Sequence, residues 1–156
     1  MLDKILVPLD GSKLAECSLP YVEELARNGR AKEIILFRVY EQPVISSDYP
    51  SNMPESWEQH VNQIVKNTKS QANLYLKEIN KKLQAAGVTA KIDSCLGRPA
   101  EEIINYAEKN EINLIVIASH GRSGVGRWAF GSVADKVFRS TNIPVLMIKT
   151  IFDQEK

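Results

Sequence analysis

Asn113-Leu-Ile-Val-Ile-Ala-Ser-His-Gly-Arg-Ser-Gly-Val-Gly-Arg-Trp-Ala-Phe-Gly-Ser-Val-Ala-Asp135 is the stretch from which the architecture of this 156-residue chain can be read. It opens as an apolar run, Leu114 to Ala118, of the kind shown by a strand buried on both faces. It then enters a loop holding Gly121, Gly124 and Gly126, and closes on Gly131-Ser132, where a helical pattern begins. A strand, a glycine-rich loop and a helix start in that order can build an anion site. Glycine lets the main chain approach closely, and the first amides of a helix have no internal acceptor. The segment is therefore expected to hold the phosphates of a nucleotide, with a long, glycine-bearing surface loop as the plain alternative.

Upstream, Lys4 to Asp10 reads as a first strand, apolar at Ile5-Leu6-Val7 with Pro8 near its end. Asp10-Gly11-Ser12 supplies a turn and a cap, and one helix is expected from Ser12 to Asn28, ended by Gly29. Ile34 to Tyr40 is a second apolar strand. An irregular segment occupies about residues 41–56, where Pro43, Pro50 and Pro54 disfavour regular structure. A long helix follows from near Glu55 to Ala86. Its apolar residues Val61, Ile64, Val65, Ala72, Tyr75, Leu76, Ile79 and Leu83 recur at steps of three and four, and Gly87 is its stop.

The third strand, Thr89 to Leu96, differs from the others. Ala90 and Ile92 alternate with Lys91 and Asp93, which predicts one wet face and a place at a sheet edge. Pro99 opens a helix whose buried stripe is Ala100, Ile103, Ile104 and Ala107. The helix after the glycine loop runs to about Ser140, and Asn142-Ile-Pro144 turns the chain into a last strand, Val145 to Thr150.

Five strands alternating with helices predict a single-domain α/β fold with a five-stranded parallel sheet, right-handed crossovers and helices on both faces, Rossmann-like in plan. Such sheets bind ligands at the carboxyl ends of strands, where the strand order reverses. Polar, glycine-bearing turns follow strands one and four, so placing those strands side by side brings both to one crevice. The expected order is 3-2-1-4-5. Strand five, residues 145–150, is then an apolar edge, and a homodimer pairing through it would cover that edge.

Hydrophobic content of 44% and charged content of 25% describe an ordinary globular chain rather than a disordered one. A net charge of +1 offers no general electrostatic case for nucleic acid or membrane as partner. Cys17 and Cys95 stand far apart and suit a reducing compartment, and no apolar run reaches signal-peptide or membrane-spanning length. A cytoplasmic protein is expected. Two isolated histidines, His60 and His120, make no metal set, and His120 has no nucleophile or acidic partner in sequence reach.

Ala118-Ser-His-Gly121, nine residues, then Gly131-Ser132 closely resembles the signature of nucleotide-binding universal stress proteins, which reads Gly, two residues, Gly, nine residues, Gly, Ser or Thr. Lys4-Ile-Leu-Val-Pro-Leu-Asp-Gly-Ser12 resembles the family's opening strand and turn. Gly97-Arg-Pro-Ala-Glu-Glu-Ile103 and Ile143-Pro-Val-Leu-Met-Ile148 fit it too, so the resemblance covers essentially the whole chain outside the proline-bearing segment. It implies an adenine nucleotide alpha hydrolase-like fold, dimerisation through the last strand, and ATP as ligand, with AMP or ADP as alternatives and Mg2+ accompanying the phosphates.

By the same resemblance, Gly121, Gly131, Ser132 and the adjoining Val133 meet the phosphates; apart from the resemblance, Arg122 flanks the loop and could pair with phosphate. Asp10, with Pro8 and Leu9, sits by the adenosine, the backbone of Val39 helps to read adenine, and Ile117 and Ala118 end the strand beneath the loop. One residue departs from the signature: Ala118 replaces its first glycine. In ordinary strand geometry the methyl is tolerated; at positive φ it would hinder binding.

Three functions compete on this evidence: a homodimeric regulatory switch that binds ATP in stress response, a slow ATPase or phosphoryl-transfer enzyme, and a ligand-free interaction protein of the same fold. The chain has no Walker GxxxxGK[ST], no kinase motif set and no Ser-Gly-Gly-x-Asp-Ser run, and no catalytic residue is assigned. The first reading fits best.

Overall fold

The computed structural model describes residues 2–42, 55–120 and 131–150. In chain order these form β1 (Lys4–Pro8), α1 (Lys13–Glu16), α2 (Leu19–Arg27), β2 (Glu33–Tyr40), α3 (Glu55–Ala85), β3 (Lys91–Leu96), α4 (Pro99–Lys109), β4 (Leu114–His120), α5 (Ser132–Ser140) and β5 (Val145–Thr150). The strands make one parallel sheet in the order β3-β2-β1-β4-β5, as the sequence predicts. The order reverses between β1 and β4, which pair Ile5 with Leu114 and Leu6 with Ile115.

Strand alternation splits the apolar runs between two cores. Ile5, Val7, Leu36, Leu114 and Val116 face Leu76, Ile79 and Leu83 of α3 and Leu19 and Val22 of α2. Leu6, Ile35, Phe37, Ile115 and Ile117 face Ala100, Ile103 and Ala107 of α4 and Ala134 and Val137 of α5. The central strands are covered on both sides, which is why their sequences read as unbroken hydrophobic runs. Each fully buried side chain, such as Phe37 or Leu36, contributes about 1.5–3 kcal/mol through removal from water. β3 lies at an edge and keeps Lys91 and Asp93 exposed; the Lys91–Glu33 ion pair, at 3.3 Å, bridges it to β2. Charges on an edge discourage pairing with a second chain.

The structure corrects the expectation of one helix from Ser12 to Asn28: two helices, α1 and α2, meet at Ser18. Pro20 is the cause. It has no N–H for the carbonyl of Glu16, and its ring clashes with that carbonyl if the helix continues. The chain tightens instead, with Cys17 N donating to Leu14 O at 3.1 Å and Ser18 Oγ to Ala15 O at 2.7 Å. Pro20 then falls in the first turn of α2, where no N–H is needed.

The long helix α3 ends as expected. Gly87 adopts φ +81°, Val88 N donates back to Leu83 O at 2.9 Å, and both Leu83 and Val88 are buried. This is a Schellman cap with its hydrophobic contact. Only the second half of α3 covers the sheet: no residue from Ser56 to Gln71 is buried, whereas Ala72, Leu76, Ile79 and Leu83 are. Thirty-one residues of helix extend about 46 Å, while the eight residues of β2 span about 26 Å. The excess projects past the sheet, so Val61, Ile64 and Val65 are only half-buried. Most of the proline-bearing segment lies outside the described residues.

Candidate functional site

The carboxyl ends of β1, β2 and β4 and the starts of α4 and α5 enclose a cavity of about 260 Å³. Pro8, Leu9 and Asp10 reach it from β1 and the following turn, Val39 from β2, and Ile117 and Ala118 from β4. Gly131, Ser132 and Val133 reach it from the start of α5. The sheet thus brings together residues up to 125 positions apart that the sequence had singled out, Pro8 and Val133 being the extremes. Gly121 and Arg122, the other two candidates, lie outside the described residues, as does most of the glycine loop.

Sequence reasoning passed over Ala15, Phe37, Pro99, Ile103 and Ala134, which also line the cavity. A signal existed for Phe37: it stands two residues before Val39 and so shares its face of β2. Pro99 and Ile103 open the helix after β3, at the same carboxyl end of the sheet. Phe37 is held by Tyr106 of α4, with ring centroids 4.3 Å apart. Together Phe37, Val39, Pro99 and Ile103 form an apolar wall suited to a flat ring, and Asp10 is the one charged residue of the described lining.

Asp10 is fixed by its own turn. Its Oδ1 accepts from Ser12 N at 2.8 Å and from Ser12 Oγ at 2.5 Å, and Ser12 Oγ accepts in turn from Ala15 N at 3.1 Å. Ser12 is therefore the cap of α1, and Asp10 orients the cap rather than serving as one. These bonds use Oδ1, leaving Oδ2 as a further acceptor for a hydroxyl or amino group. Gly11 between them takes φ +90°, a conformation that favours glycine.

Three helices begin near the cavity, and their N-termini differ. The amides of α1 are served by Ser12 Oγ. At α4 the cap residue, Arg98, makes no side-chain bond, but Glu101 and Glu102 stand in the first turn and complement the helix dipole. At α5 the cap is Gly131, which has no side chain to offer, and the first-turn carboxylate, Asp135, is paired with Arg139 Nε at 2.9 and 3.0 Å. The first amides of α5 therefore lack an acceptor from a cap side chain, as an anion site requires. Gly131 itself has φ −56° and ψ 145°, so glycine here provides space rather than an unusual backbone angle.

At Ala118, where the signature has glycine, the backbone is ordinary strand. Ala118 is a regular β4 residue paired with Ile148, and Glu111 is the one non-glycine residue with positive φ among those described. By alternation Ala118 shares the sheet face of Leu114, Val116 and its partner Ile148, while Ala118 itself is half-buried and lines the cavity. Its side chain thus stands on the opposite sheet face from the α5 core residues Ala134 and Val137.

Lys136 of α5 donates to Glu101 of α4, and this hydrogen bond holds the Glu101 carboxyl below its usual range. It ties together the starts of two helices that border the cavity. At the β2–β3 rim, burial, then Glu102 and Asp93, push the Cys95 thiol up to about 11. Among the described residues no three His, Cys, Asp or Glu side chains converge as a metal set, and no helix is long and apolar enough to cross a membrane. The arrangement offers an apolar slot, an acceptor on one side and uncapped amides on the other: it is built to hold a ring bearing hydroxyls and an anion.

A family model described as universal stress protein family matches residues 1–149. Universal stress protein MJ0577 of Methanocaldococcus jannaschii is 31% identical over 156 residues, covering 96% of each chain. Its solved structure matches with a TM-score of 0.79, covering 98% of this chain and 99% of that one. Universal stress protein YxiE of Bacillus subtilis is 30% identical over 149 residues, covering 96% of this chain and 100% of its own. Two more distant structures share the fold. A universal stress protein in complex with cAMP is 21% identical with a TM-score of 0.67, covering 96% of this chain and 98% of its own. An Arabidopsis thaliana member with AMP bound is 17% identical with a TM-score of 0.64, covering 99% of this chain and 95% of its own.

Proposed function

The chain belongs to the universal stress protein family, and on that premise we propose that it is a regulatory module that binds ATP, with AMP and ADP as alternative occupants, in the crevice between β1, β4 and α5. The observation that carries this reading is the meeting of Asp10, Val39 and the uncapped start of α5 at one cavity. Adenine nucleotides in two universal stress proteins of the same fold support it.

In this reading the base lies along the apolar wall with the backbone of Val39 at its edge, flanked by Pro8, Leu9 and Ile117. Asp10 accepts a hydroxyl or amino hydrogen of the adenosine. The amides of Ser132 and Val133, with the Ser132 hydroxyl, bind phosphate where Gly131 leaves room, and Gly121 and Arg122 are the further phosphate contacts. Mg2+ would accompany the phosphates, and the Ser132 hydroxyl is the group here that could help to hold it. The protein acts in the cytoplasm as a homodimer paired through β5, and occupancy of the crevice is its switch.

Isothermal titration with ATP and Mg2+ tests the reading, and absence of heat at millimolar ligand would refute it. Gly131→Val is the matched variant. The backbone angles at Gly131 are open to valine, so the fold should hold while the side chain fills the phosphate space and abolishes binding. Unchanged affinity would place the ligand elsewhere. A phosphate-release assay on the same preparation separates a switch from a slow ATPase: turnover lost in Ser132→Ala and retained through repurification would identify an enzyme.

A further inference from the structure

Arg38 is a charged residue inside an otherwise apolar strand, between Phe37 and Val39, both of which line the crevice. Alternation sends its side chain to the opposite face of the sheet, where the guanidinium lies over the Tyr75 ring of α3, Cζ 5.1 Å from the centroid. It also reaches the turn after β1. A methyl on Gly11 would meet Arg38 Nη2 at 3.1 Å and Cζ at 3.3 Å. That turn carries Asp10 into the crevice and is otherwise held by the hydrogen bonds of Asp10 and Ser12.

Tyr75 is placed for this contact at some cost. Among the described residues its hydroxyl oxygen is buried without a hydrogen-bond partner, which is unfavourable for a polar group. Burial is the main cause that raises its pKa. The nearby carboxylates of Glu16 and Asp10 add to it. Glu16 in turn joins α1 to α3 through Lys82 Nζ at 3.4 Å. The underside of the Asp10 turn is therefore a charged contact between α1, β2 and α3, distinct from the lining of the crevice.

We propose that Arg38 is a positioning residue: stacked on Tyr75, its guanidinium supports the Gly11 turn from the far side of the sheet and sets where the Asp10 carboxylate stands toward the nucleotide. Through this contact α3 is coupled to the site. The inference rests on the reading of Asp10 as a nucleotide contact and adds to it a residue that does not touch the ligand.

A thermodynamic cycle tests it, with ATP affinity measured by titration calorimetry for wild type, Asp10→Ala, Arg38→Ala and the double variant. Asp10→Ala should weaken binding roughly tenfold, the loss of a hydrogen bond to a charged group. Arg38→Ala should weaken it about fivefold in the native background and less than about twofold beside Asp10→Ala, because residues that act as one unit are not additive. A general loosening of the fold would cost the same in both backgrounds. Equal losses in the two backgrounds, or no loss in either, overturn the inference. If the wild type binds and Asp10→Ala does not weaken it, the role of Asp10 fails and this inference with it; a wild type that does not bind removes the proposed function as well. Should Arg38→Ala not fold by far-UV circular dichroism, Tyr75→Leu replaces it in the cycle, removing the ring beneath the guanidinium while keeping its charge.

Discussion

Gly11→Ala perturbs the one turn on which both the crevice and its support depend, and its cost can be worked from the geometry. At φ +90° an alanine carries about 1 kcal/mol of backbone strain. Its methyl would also stand 3.1 Å from Arg38 Nη2 and 3.3 Å from Cζ and Nη1, closer than ordinary van der Waals contact. The guanidinium must retreat and gives up part of its interaction with Tyr75, worth about 0.5–1 kcal/mol. The expected sum is about 1.5 kcal/mol. Gly29→Ala is the internal reference: its φ is +65°, but nothing lies within 4 Å of the added methyl, so strain of about 1 kcal/mol acts alone. Urea unfolding followed by far-UV circular dichroism gives both numbers, provided the denaturant slopes agree. Gly11→Ala should be the more destabilising by roughly 0.5 kcal/mol and should also weaken ATP binding, which Gly29→Ala should not. Equal costs for the two variants would refute the contact between the turn and Arg38.

Ala118→Gly restores the family's usual residue, yet the methyl stands on the opposite sheet face from the α5 core residues; ATP affinity by calorimetry should change less than about threefold, with stability falling by about 1 kcal/mol. A large gain in affinity would show that the methyl crowds the phosphates. Leu146 is exposed on the edge strand β5, and Leu146→Lys should convert the proposed homodimer to monomer in light scattering, while a dimer that survives would locate the interface elsewhere. At pH 8 iodoacetamide should label the exposed Cys17 well before the half-buried Cys95, whose thiol is pushed up to about 11; peptide mass mapping reads the order, and equal rates would contradict it. Because the folded state holds that proton more tightly than the unfolded state, stability should fall as pH rises from 9.0 through about 11. Urea unfolding across that range should show a shallower fall in Cys95→Ala, and an unaltered pH dependence would refute the contribution.

Much of the fold is legible along the chain because burial leaves a periodic record. The unbroken runs Ile5-Leu6-Val7 and Ile34 to Phe37 mark strands covered on both faces, and the alternation of Lys91 and Asp93 with Ile92 marks the edge. The break at Ser18 was legible too, since Pro20 cannot continue a helix that includes Glu16; the apolar spacing across it concealed the stop. The overhang of α3 was not legible from its stripe, because periodicity shows which side of a helix is apolar and not how far a sheet extends beneath it.

The candidate site divides along the same line. Strand ends, the spacing of Gly131 and Ser132, and the acidic turn at Asp10 are local features, and the chain alone singles them out as parts that could meet at a reversal of strand order. Which sheet face the Ala118 side chain shares depends on the strand's place in the finished sheet. So does the course of Arg38, which in sequence is only a charge between Phe37 and Val39, and in the structure lies against Tyr75 and Gly11. The sequence by itself determined the strands, their order and the helix start at Gly131-Ser132, since these follow from local sterics and hydrophobic pattern. Only the tertiary structure decided what lies against the Asp10 turn, because the approach of residues 11, 38 and 75 exists only once three separate elements have closed on one another.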